Sequence, residues 1–165
     1  MLSMLALAIV LGAASPSADQ PRIVEETIAL NVPSTTLYIH GSEEQAMLDD
    51  VNAGRKREGL APLVIDDKLT VLARQHGKDM LTRHYFGHVT PDGVSPFDRM
   101  HAAGYHYQYA GENIAFSDSE ANAARGLWAS VDHRDNMLGG HYRKIGIGAV
   151  GTGVYGNVYV QEFSD

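Results

Sequence analysis

The chain contains no cysteine among its 165 residues. This absence excludes disulfide bonds, zinc sites built from thiolates and a cysteine nucleophile. Any bound metal must therefore be held by nitrogen and oxygen atoms, and the eight histidines are the abundant candidates. The sequence also lacks the HExxH motif that marks one class of zinc protease.

Basic residues are scarce as well, with 13 Lys and Arg against 20 Asp and Glu and a net charge of −7. No long basic run is present, whereas a nucleic-acid-binding domain usually presents a basic patch. We therefore predict no nucleic-acid partner. The 44% hydrophobic and 20% charged fractions are typical of a globular protein, and the length suits one domain with a substantial core.

Charged side chains are absent from the first 18 residues, and residues 2–14 form an apolar run followed by small residues. The run matches the hydrophobic part of a signal peptide and is shorter than the roughly 20 residues of a membrane-spanning helix. The pattern favours a signal peptide for residues 1–18; a truncated membrane segment and a buried core helix stay open. Either of the first two places the remainder outside the cytoplasm, secreted, periplasmic or tethered, with membrane contact only through this segment if it is uncleaved.

Residues 19–41 lack helical periodicity and predict an extended linker with one or two strand-like pieces. A domain is predicted over residues 42–165. Its first helix is expected to begin at Ser42, because Ser42 and Gln45 fit a capping box.

Two more helix starts carry the residue types that cap helices. A helix that begins at Asp66 or Asp67 would place His76 on its apolar face, where we interpret it as a core histidine satisfied by a hydrogen bond. Ser95 followed by Pro96 predicts a short helix after it.

The remaining segments are predicted from alternation and turn residues. Residues 105–109 alternate as a strand would, Ser119 caps a further long helix, and residues 133–136 form a polar turn. Two closing strands are expected around residues 145–148 and 158–160. Helices and short strands that mix without a regular βαβ order predict an α+β fold, a single-domain sandwich of helices around a small, mainly antiparallel sheet.

Three side chains are candidates for one cleft. His88 precedes a Pro-Asp-Gly turn, in a loop where a polar side chain can face a cleft. Glu112 has apolar neighbours, which predict burial with a partner. His133 lies in a further polar segment, and we expect the three to converge.

Six motifs follow one another in a characteristic order: VNAGRKREGLAPL, HGKDM, FGHVTPDGVSPFDRMHAAGY, AGENIA, a tryptophan-ended helix into DHRDNML, and KIGIGAV with YVQEF. This order resembles the bacterial branch of the CAP superfamily (cysteine-rich secretory proteins, antigen 5 and pathogenesis-related 1). The resemblance covers about residues 43–163. The domain is also similar to the SCP-like domain that follows CvpA-like membrane parts in some bacterial proteins.

The resemblance implies an α-β-α sandwich whose cleft carries two histidines and two glutamates and can hold a divalent metal, often zinc, on the histidines. By position, the histidines correspond to His88 and His133 and the first glutamate to Glu112. Val131 stands at the place of the second glutamate. Whether the neighbouring Asp132 replaces it is open, because adjacent helical residues point about 100° apart. Six further residues are expected to line or support the cleft: Asn113, Ser130, Arg134, Asn136, Tyr105 and Tyr107.

Three functions fit this reading. The favoured one is a monomeric, extracytoplasmic binding module for a lipid, a cell-envelope ligand or a protein partner, with or without metal. The second is a zinc-assisted, peptidase-like hydrolase, with zinc on His88 and His133 and Glu112 as general base. The third is a buried polar network that performs no chemistry.

Overall fold

The computed structural model describes residues 8–11, 27–33, 36–152 and 154–165. Their elements, in chain order, are β1 (Ala8–Leu11), β2 (Ile28–Ala29), β3 (Tyr38–Ile39), α1 (Gly41–Arg57), β4 (Val64–Ile65), α2 (Asp67–Thr82), β5 (Tyr85–Phe86), α3 (Pro96–Ala102), β6 (Ala110–Ser117), α4 (Glu120–Ala129), α5 (Val131–Met137), β7 (Lys144–Gly151) and β8 (Asn157–Ser164). Most of the predicted leader and part of the predicted linker lie outside the described residues, so those assignments stay predictions. Within the described residues, no helix is long and apolar enough to cross a membrane.

In the described part of the chain, six strands form one sheet in the order β1-β6-β8-β7-β3, and the short β4 also pairs with β7. The β4–β7 pair is parallel and the other pairs are antiparallel. β2 and β5 form a separate two-stranded sheet. The central strands β6, β8 and β7 pair along their whole length, and this register fixes which side chains share a face.

Helices cover both faces of this sheet. One buried cluster joins Ala73 of α2 to Val160 of β8. The other joins Met47 of α1 and Leu127 of α4 to Tyr159, the neighbour of Val160 on the same strand. Because successive strand residues point to opposite faces, these clusters are two separate helix layers. The predicted α+β sandwich is confirmed.

The contact between α2 and β7 depends on two glycines. A Cβ added to Gly148 would lie 2.6 Å from the backbone carbonyl carbon of Ala73, and one on Gly146 would collide with the backbone of Leu69 and Thr70. The helix backbone therefore rests directly on the strand, at a distance that only glycine allows.

Several predicted elements are confirmed. Asp66 caps α2 by accepting a hydrogen bond from the Leu69 N–H at 3.0 Å. Ser95 and Asp98 form a reciprocal capping box at the start of α3. The two closing strands are present as the β7–β8 hairpin.

The predicted start of α1 is wrong by one residue, and the N-cap is His40 rather than the predicted Ser42. The helix begins at Gly41, and the carbonyl of His40 accepts hydrogen bonds from the N–H groups of Glu43 and Glu44. Backbone bonds thus close the first turn, and Ser42 lies inside the helix without a capping role.

Two other local predictions are also wrong. Residues 105–109 are irregular rather than a strand, because the N–H groups of Gln108 and Tyr109 donate to the Asp165 carboxylate, each at 2.9 Å. Residues 133–136 lie within α5 rather than in a turn. There the Arg134 N–H donates to the carbonyl of Ser130 and continues a helical ladder.

Candidate functional site

The centre of the site is the carboxylate of Glu112 on β6, on the sheet face that α2 covers. The residue has no exposed surface. Its Oε1 lies 2.6 Å from Nδ1 of His88, and its Oε2 accepts a hydrogen bond from Nη2 of Arg99 at 2.6 Å. Both carboxylate oxygens are therefore engaged by a neighbour, and the prediction that Glu112 is buried with a partner is confirmed.

The charge of Glu112 is stabilised by these neighbours. Burial alone would raise its pKa, but the guanidinium of Arg99, the ring of His76 and the hydrogen bond from His88 together hold the pKa well below its ordinary value. Glu112 is therefore ionised at neutral pH.

Arg99 of α3 ties the loop of His88 to the sheet. Its Nη1 donates to the backbone carbonyl of His88 at 2.9 Å, while Nη2 binds Glu112. The pKa of Arg99 is raised: burial acts to lower it, but the carboxylates of Glu112 and Glu162 outweigh burial. One guanidinium thus fixes both the position of the loop and the charge of the site.

The contact with Glu112 also determines the tautomer of His88. An ionised carboxylate only accepts hydrogen bonds, so Nδ1 of His88 is the donor. In the neutral ring the lone pair is then on Nε2. A carboxylate that orients a histidine in this way is a common feature of histidines that bind metals.

His76 of α2 lies beneath this contact. Its Nε2 is 3.1 Å from the carbonyl oxygen of Gly87 and 3.9 Å from Oε2 of Glu112. Burial lowers its pKa to about 4, so the ring is neutral and Nε2 donates to the carbonyl. The prediction of a core histidine satisfied by a hydrogen bond is confirmed. The sequence did not predict that this histidine lies beside Glu112.

A second carboxyl group belongs to the same cluster. Glu162 of β8 is the register partner of Glu112 and is fully buried. Its Oε1 is 4.0 Å from Nη2 of Arg99. Burial, followed by the charge of Glu112, raises the pKa of Glu162 well above its ordinary value. The pair thus consists of one ionised and one protonated carboxyl group, because two adjacent buried carboxylates repel each other.

The opposite face of the same strand carries neutral amides. Asn113 donates through Nδ2 to the carbonyl oxygen of His133 and to Oε1 of Gln161, both at 3.0 Å. Its Oδ1 accepts from Nδ2 of Asn136 at 2.9 Å, and the same nitrogen is 3.4 Å from the carbonyl oxygen of Glu112. These bonds attach α5, and with it the buried His133, to β6.

Comparison with known proteins identifies the architecture around this site. The family model of the cysteine-rich secretory proteins, CAP, matches residues 48–163. The chain belongs to the CAP family. That result confirms the resemblance deduced from the motif order.

Bacillus proteins are among the relatives of this CAP domain. The uncharacterised protein YkwD of Bacillus subtilis is 36% identical over 121 residues, which are 73% of this chain and 46% of YkwD. An extracellular protein of Bacillus anthracis that contains an SCP domain is 32% identical in its crystal structure. Its TM-score is 0.67, over 75% of this chain and 40% of that one.

A more distant structure shares the fold alone. An outer surface protein of Borrelia burgdorferi gives a TM-score of 0.73 at 18% identity, over 79% of this chain and 98% of its own. The present chain spans less than half the length of the curated relatives that it matches.

The structure brings two of the three predicted cleft residues of the CAP domain into direct contact. His88 and Glu112 are in direct contact. His133 is linked to them through its backbone and Asn113, so the convergence of its ring with the other two stays a prediction. Val131, at the place of the second glutamate, is 58% exposed, and Asp132 is exposed as well. Asp132 is therefore not the missing buried carboxylate.

The supporting residues take different roles. Tyr105 is buried and donates to Oδ2 of Asp66 at 3.2 Å. Tyr107 packs against Phe97 and stacks on His101. These two tyrosines belong to the packing of α3 and α2.

Two further predicted supports lie on α5 or at its start. Ser130 occupies the N-cap position of α5 without a side-chain cap bond and is partly exposed, and Arg134 is also partly exposed. Their role at the cleft stays a prediction.

The described residues contain no group of three or more His, Cys, Asp or Glu side chains arranged to hold a metal ion. A catalytic zinc normally has three protein ligands. The oxygens of Glu112 are bonded to His88 and Arg99, so this carboxylate orients a histidine.

Sequence reasoning does not single out Arg99 or Glu162. A signal for Arg99 is available, because a buried carboxylate requires a cation and Arg99 follows the His88 loop closely. The signal for Glu162 is weaker. It shares the period-two face of β8 with Val158 and Val160, and an acid on an otherwise buried face indicates a polar partner across the strand.

Proposed function

We propose that this CAP domain is an extracytoplasmic binding module for a ligand of the cell envelope, and that its His/Glu cluster shapes a cleft without catalysing a reaction. The observation that carries the proposal is the state of Glu112, which is fully buried with one oxygen bonded to His88 and the other to Arg99. These contacts support a rigid, charged scaffold beneath a binding surface.

The same contacts argue against a general-base role for Glu112. A general base must reach the proton that it removes and should have a pKa near the working pH. The pKa of Glu112 is held well below its ordinary value, and both oxygens already accept strong hydrogen bonds. Water activation at this carboxylate would first require breaking the ion pair with Arg99.

The names of similar proteins support the proposed location. They include an extracellular SCP-domain protein, an outer surface protein and a cysteine-rich secretory protein. The domain also covers only 46% of YkwD and 40% of the Bacillus anthracis chain. This favours a module that longer proteins present at the cell surface.

The test is co-sedimentation of the full chain with purified Bacillus subtilis cell walls, beside vesicles of neutral and anionic lipid. Retention by the walls without release of soluble fragments is expected. Glu112→Gln should weaken retention because it loosens the cleft, whereas the matched surface variant Glu58→Gln should bind normally. Release of fragments that ceases in a folded Glu112→Gln protein would instead establish the hydrolase, and binding only to vesicles would exclude the cell-wall ligand.

A divalent metal, zinc before others, is a second part of the proposal. The orientation of His88 by Glu112 suits a metal ligand at Nε2, and His133 is the proposed second ligand. A site with two histidine ligands fits a metal that stabilises the cleft. It fits a catalytic zinc less well. When bound, the metal would supply a positive charge to an oxygen of the ligand.

Calorimetric titration of the full chain with zinc at pH 7.5 and pH 5.5 tests this part. We expect one-to-one binding that weakens at the lower pH, because protonated imidazoles do not bind metal. Binding should disappear in a His88→Ala/His133→Ala double variant. Equal binding by the wild type and the double variant would place the metal elsewhere.

A further inference from the structure

The strand β1 is the last strand at one edge of the six-stranded sheet in the described part of the chain. It pairs antiparallel with β6, with Ala8 opposite Ala115 and Leu11 opposite Glu112. It also lies against α5, the helix that carries His133. If β1 left the sheet, the outer edge of β6 beside Glu112 would be open.

The four residues of β1 belong to the stretch that the sequence predicts to be a leader. Residues 1–18 contain no charged side chain. A signal peptide is removed during export, and a membrane segment stays in the bilayer. Either fate withdraws β1 from the sheet, so this segment has two competing positions.

The main-chain groups of β6 alternate between the two neighbouring strands. The N–H of Asp165 donates to the carbonyl oxygen of Tyr109 at 3.3 Å, and this pair continues the register of β6 with β8. Because bonded and non-bonded pairs alternate along an antiparallel ladder, Asn113 also bonds to β8. The N–H and C=O groups of Glu112 and Ile114 therefore point to the outer edge, where β1 lies.

Contacts other than those with β1 hold this edge in place. The side chain of Glu112 is bonded to His88 and Arg99, and that of Asn113 is bonded to Gln161. A sheet edge with free N–H and C=O groups is a template for another strand. An edge that is already ordered loses little conformational entropy when a strand is added.

The segment that occupies the edge indicates which peptide fits there. It is uncharged, and two of its four residues, Ile9 and Val10, are β-branched and favour strands. The charge beside the edge is already paired, because Glu112 lies 2.6 Å from Arg99. A charged side chain would gain no free partner from this ion pair and would lose hydration.

We propose that the outer edge of β6 is a docking site for an extended, uncharged, apolar segment of a partner protein. The segment adds an antiparallel strand and bonds to the main chain of Glu112 and Ile114, so that affinity comes from backbone hydrogen bonds. Residues 8–11 cover the site until the leader is withdrawn. This surface goes beyond the proposed function and does not depend on a cell-wall ligand.

Hydrogen exchange of the full chain, produced without export so that the leader is retained, tests the edge. Ile9 is opposite Ile114, so its N–H lies at a bonded position and Ile9→Pro should detach β1. Val10→Pro is the matched control, because the N–H of Val10 points away from β6 and proline is tolerated at such a position.

The amide protons of Glu112 and Ile114 should exchange roughly tenfold faster, or more, in the Ile9→Pro protein than in the control. The amide proton of Asn113, which bonds to β8, should exchange at the same rate in both. Unchanged exchange of Glu112 and Ile114 would overturn the proposal. So would an Ile9→Pro protein that does not fold, because the edge must persist without its own strand.

Fluorescence anisotropy tests the chemistry of the partner. The probe is a labelled peptide with the sequence of residues 7–12, Leu-Ala-Ile-Val-Leu-Gly, with a lysine added at each end for solubility. It should bind the Ile9→Pro protein roughly tenfold more tightly, or more, than the Val10→Pro control, whose own β1 covers the edge. The matched peptide with an N-methylated isoleucine cannot donate to the carbonyl of Ile114 and should bind about tenfold more weakly.

Three outcomes of this titration would overturn the proposal. They are no binding to the Ile9→Pro protein, equal binding to the two variants, and equal binding of the two peptides. Sedimentation of the wild-type chain supplies a further check. A dimer that Ile9→Pro converts to a monomer would assign the edge to β1 of a second copy and would likewise overturn the proposal.

Discussion

The two faces of the sheet near the start of β6 hold their buried polar groups in different ways. On the α2 face, Glu112 is ionised and its charge is balanced by Arg99. On the opposite face, its neighbour Asn113 is neutral and bonds to the amides of Asn136 and Gln161. A buried charge left without its partner costs more than an unpaired amide. The α2 face should therefore be the more sensitive to mutation, and its stability should depend on pH.

The largest effect should follow from Arg99→Met, which leaves the charge of Glu112 buried without a cation. We expect a loss of about 3–5 kcal/mol in the free energy of unfolding, measured by urea denaturation at pH 7. Adding Glu112→Gln to this variant should restore part of the loss, because the unpaired charge is then gone. A single variant within about 1 kcal/mol of the wild type would show that the ion pair does not stabilise the fold.

The next effect concerns pH and His76. The folded pKa of His76 is about 4 against an ordinary value of 6.5, so below pH 6.5 the unfolded chain takes up a proton that the folded protein does not. The contribution to stability is therefore present above pH 6.5 and lost as the pH falls toward 4, by about 3 kcal/mol. His76→Gln keeps a hydrogen-bond donor and does not titrate.

Urea unfolding of the wild type and His76→Gln at several pH values between 4 and 7 checks this. The variant should lose less stability than the wild type on acidification, whatever its absolute stability at pH 7. Parallel curves for the two proteins would show that His76 titrates normally in the folded state.

On the amide face, Asn113→Ala removes one acceptor and two donated bonds. We expect a loss of about 1–3 kcal/mol, the usual cost of leaving buried partners unsatisfied. The loss should be the same at pH 5 and pH 8, because the atoms bonded to Asn113 belong to two side-chain amides and a backbone carbonyl, which do not titrate. A loss that changes between these two pH values would mean that the two faces are electrostatically coupled.

The smallest effect should come from Glu162→Gln, measured below pH 4.5. The carboxyl is protonated in the folded protein because burial and Glu112 raise its pKa, and glutamine is a neutral group of similar shape. We expect a change within about 1 kcal/mol below pH 4.5, where the carboxyl is protonated in both the folded and the unfolded chain. In the wild type, the contribution of Glu162 is present below pH 4.5 and is lost as the pH rises toward the folded pKa.

The variant should therefore gain stability relative to the wild type as the pH increases from 5 to 8, measured by thermal unfolding. A relative loss over this range would indicate that Glu162 is ionised in the folded protein and paired with Arg99.

The sequence predicts only part of the arrangement on the α2 face. Burial of Glu112 with a partner follows from its apolar neighbours, and the core position of His76 follows from helical spacing. The partners themselves come from distant segments: Arg99 from a short helix and Glu162 from the last strand. Local patterns do not contain such register information, which arises only when β6 and β8 pair.

The errors in local structure have a similar cause. Gln108 and Tyr109 read as strand residues, but their N–H groups are taken by Asp165 at the far end of the chain. The alternation of residues 105–109 is the same in a strand and in an irregular segment whose partner is a side chain. The start of α1 was decided by backbone bonds to His40, which a capping motif cannot reveal.

The backbone contact between α2 and β7 also constrains the order of folding. Gly146 and Gly148 meet residues of α2 whose numbers are lower by about 75, and contacts between such distant segments form late and slow the folding of a chain. During synthesis, α2 leaves the ribosome well before the strand on which it rests. The apolar side of α2 therefore stays unpacked until the β7–β8 hairpin has formed. A chain interrupted before β7 would leave that surface exposed to aggregation.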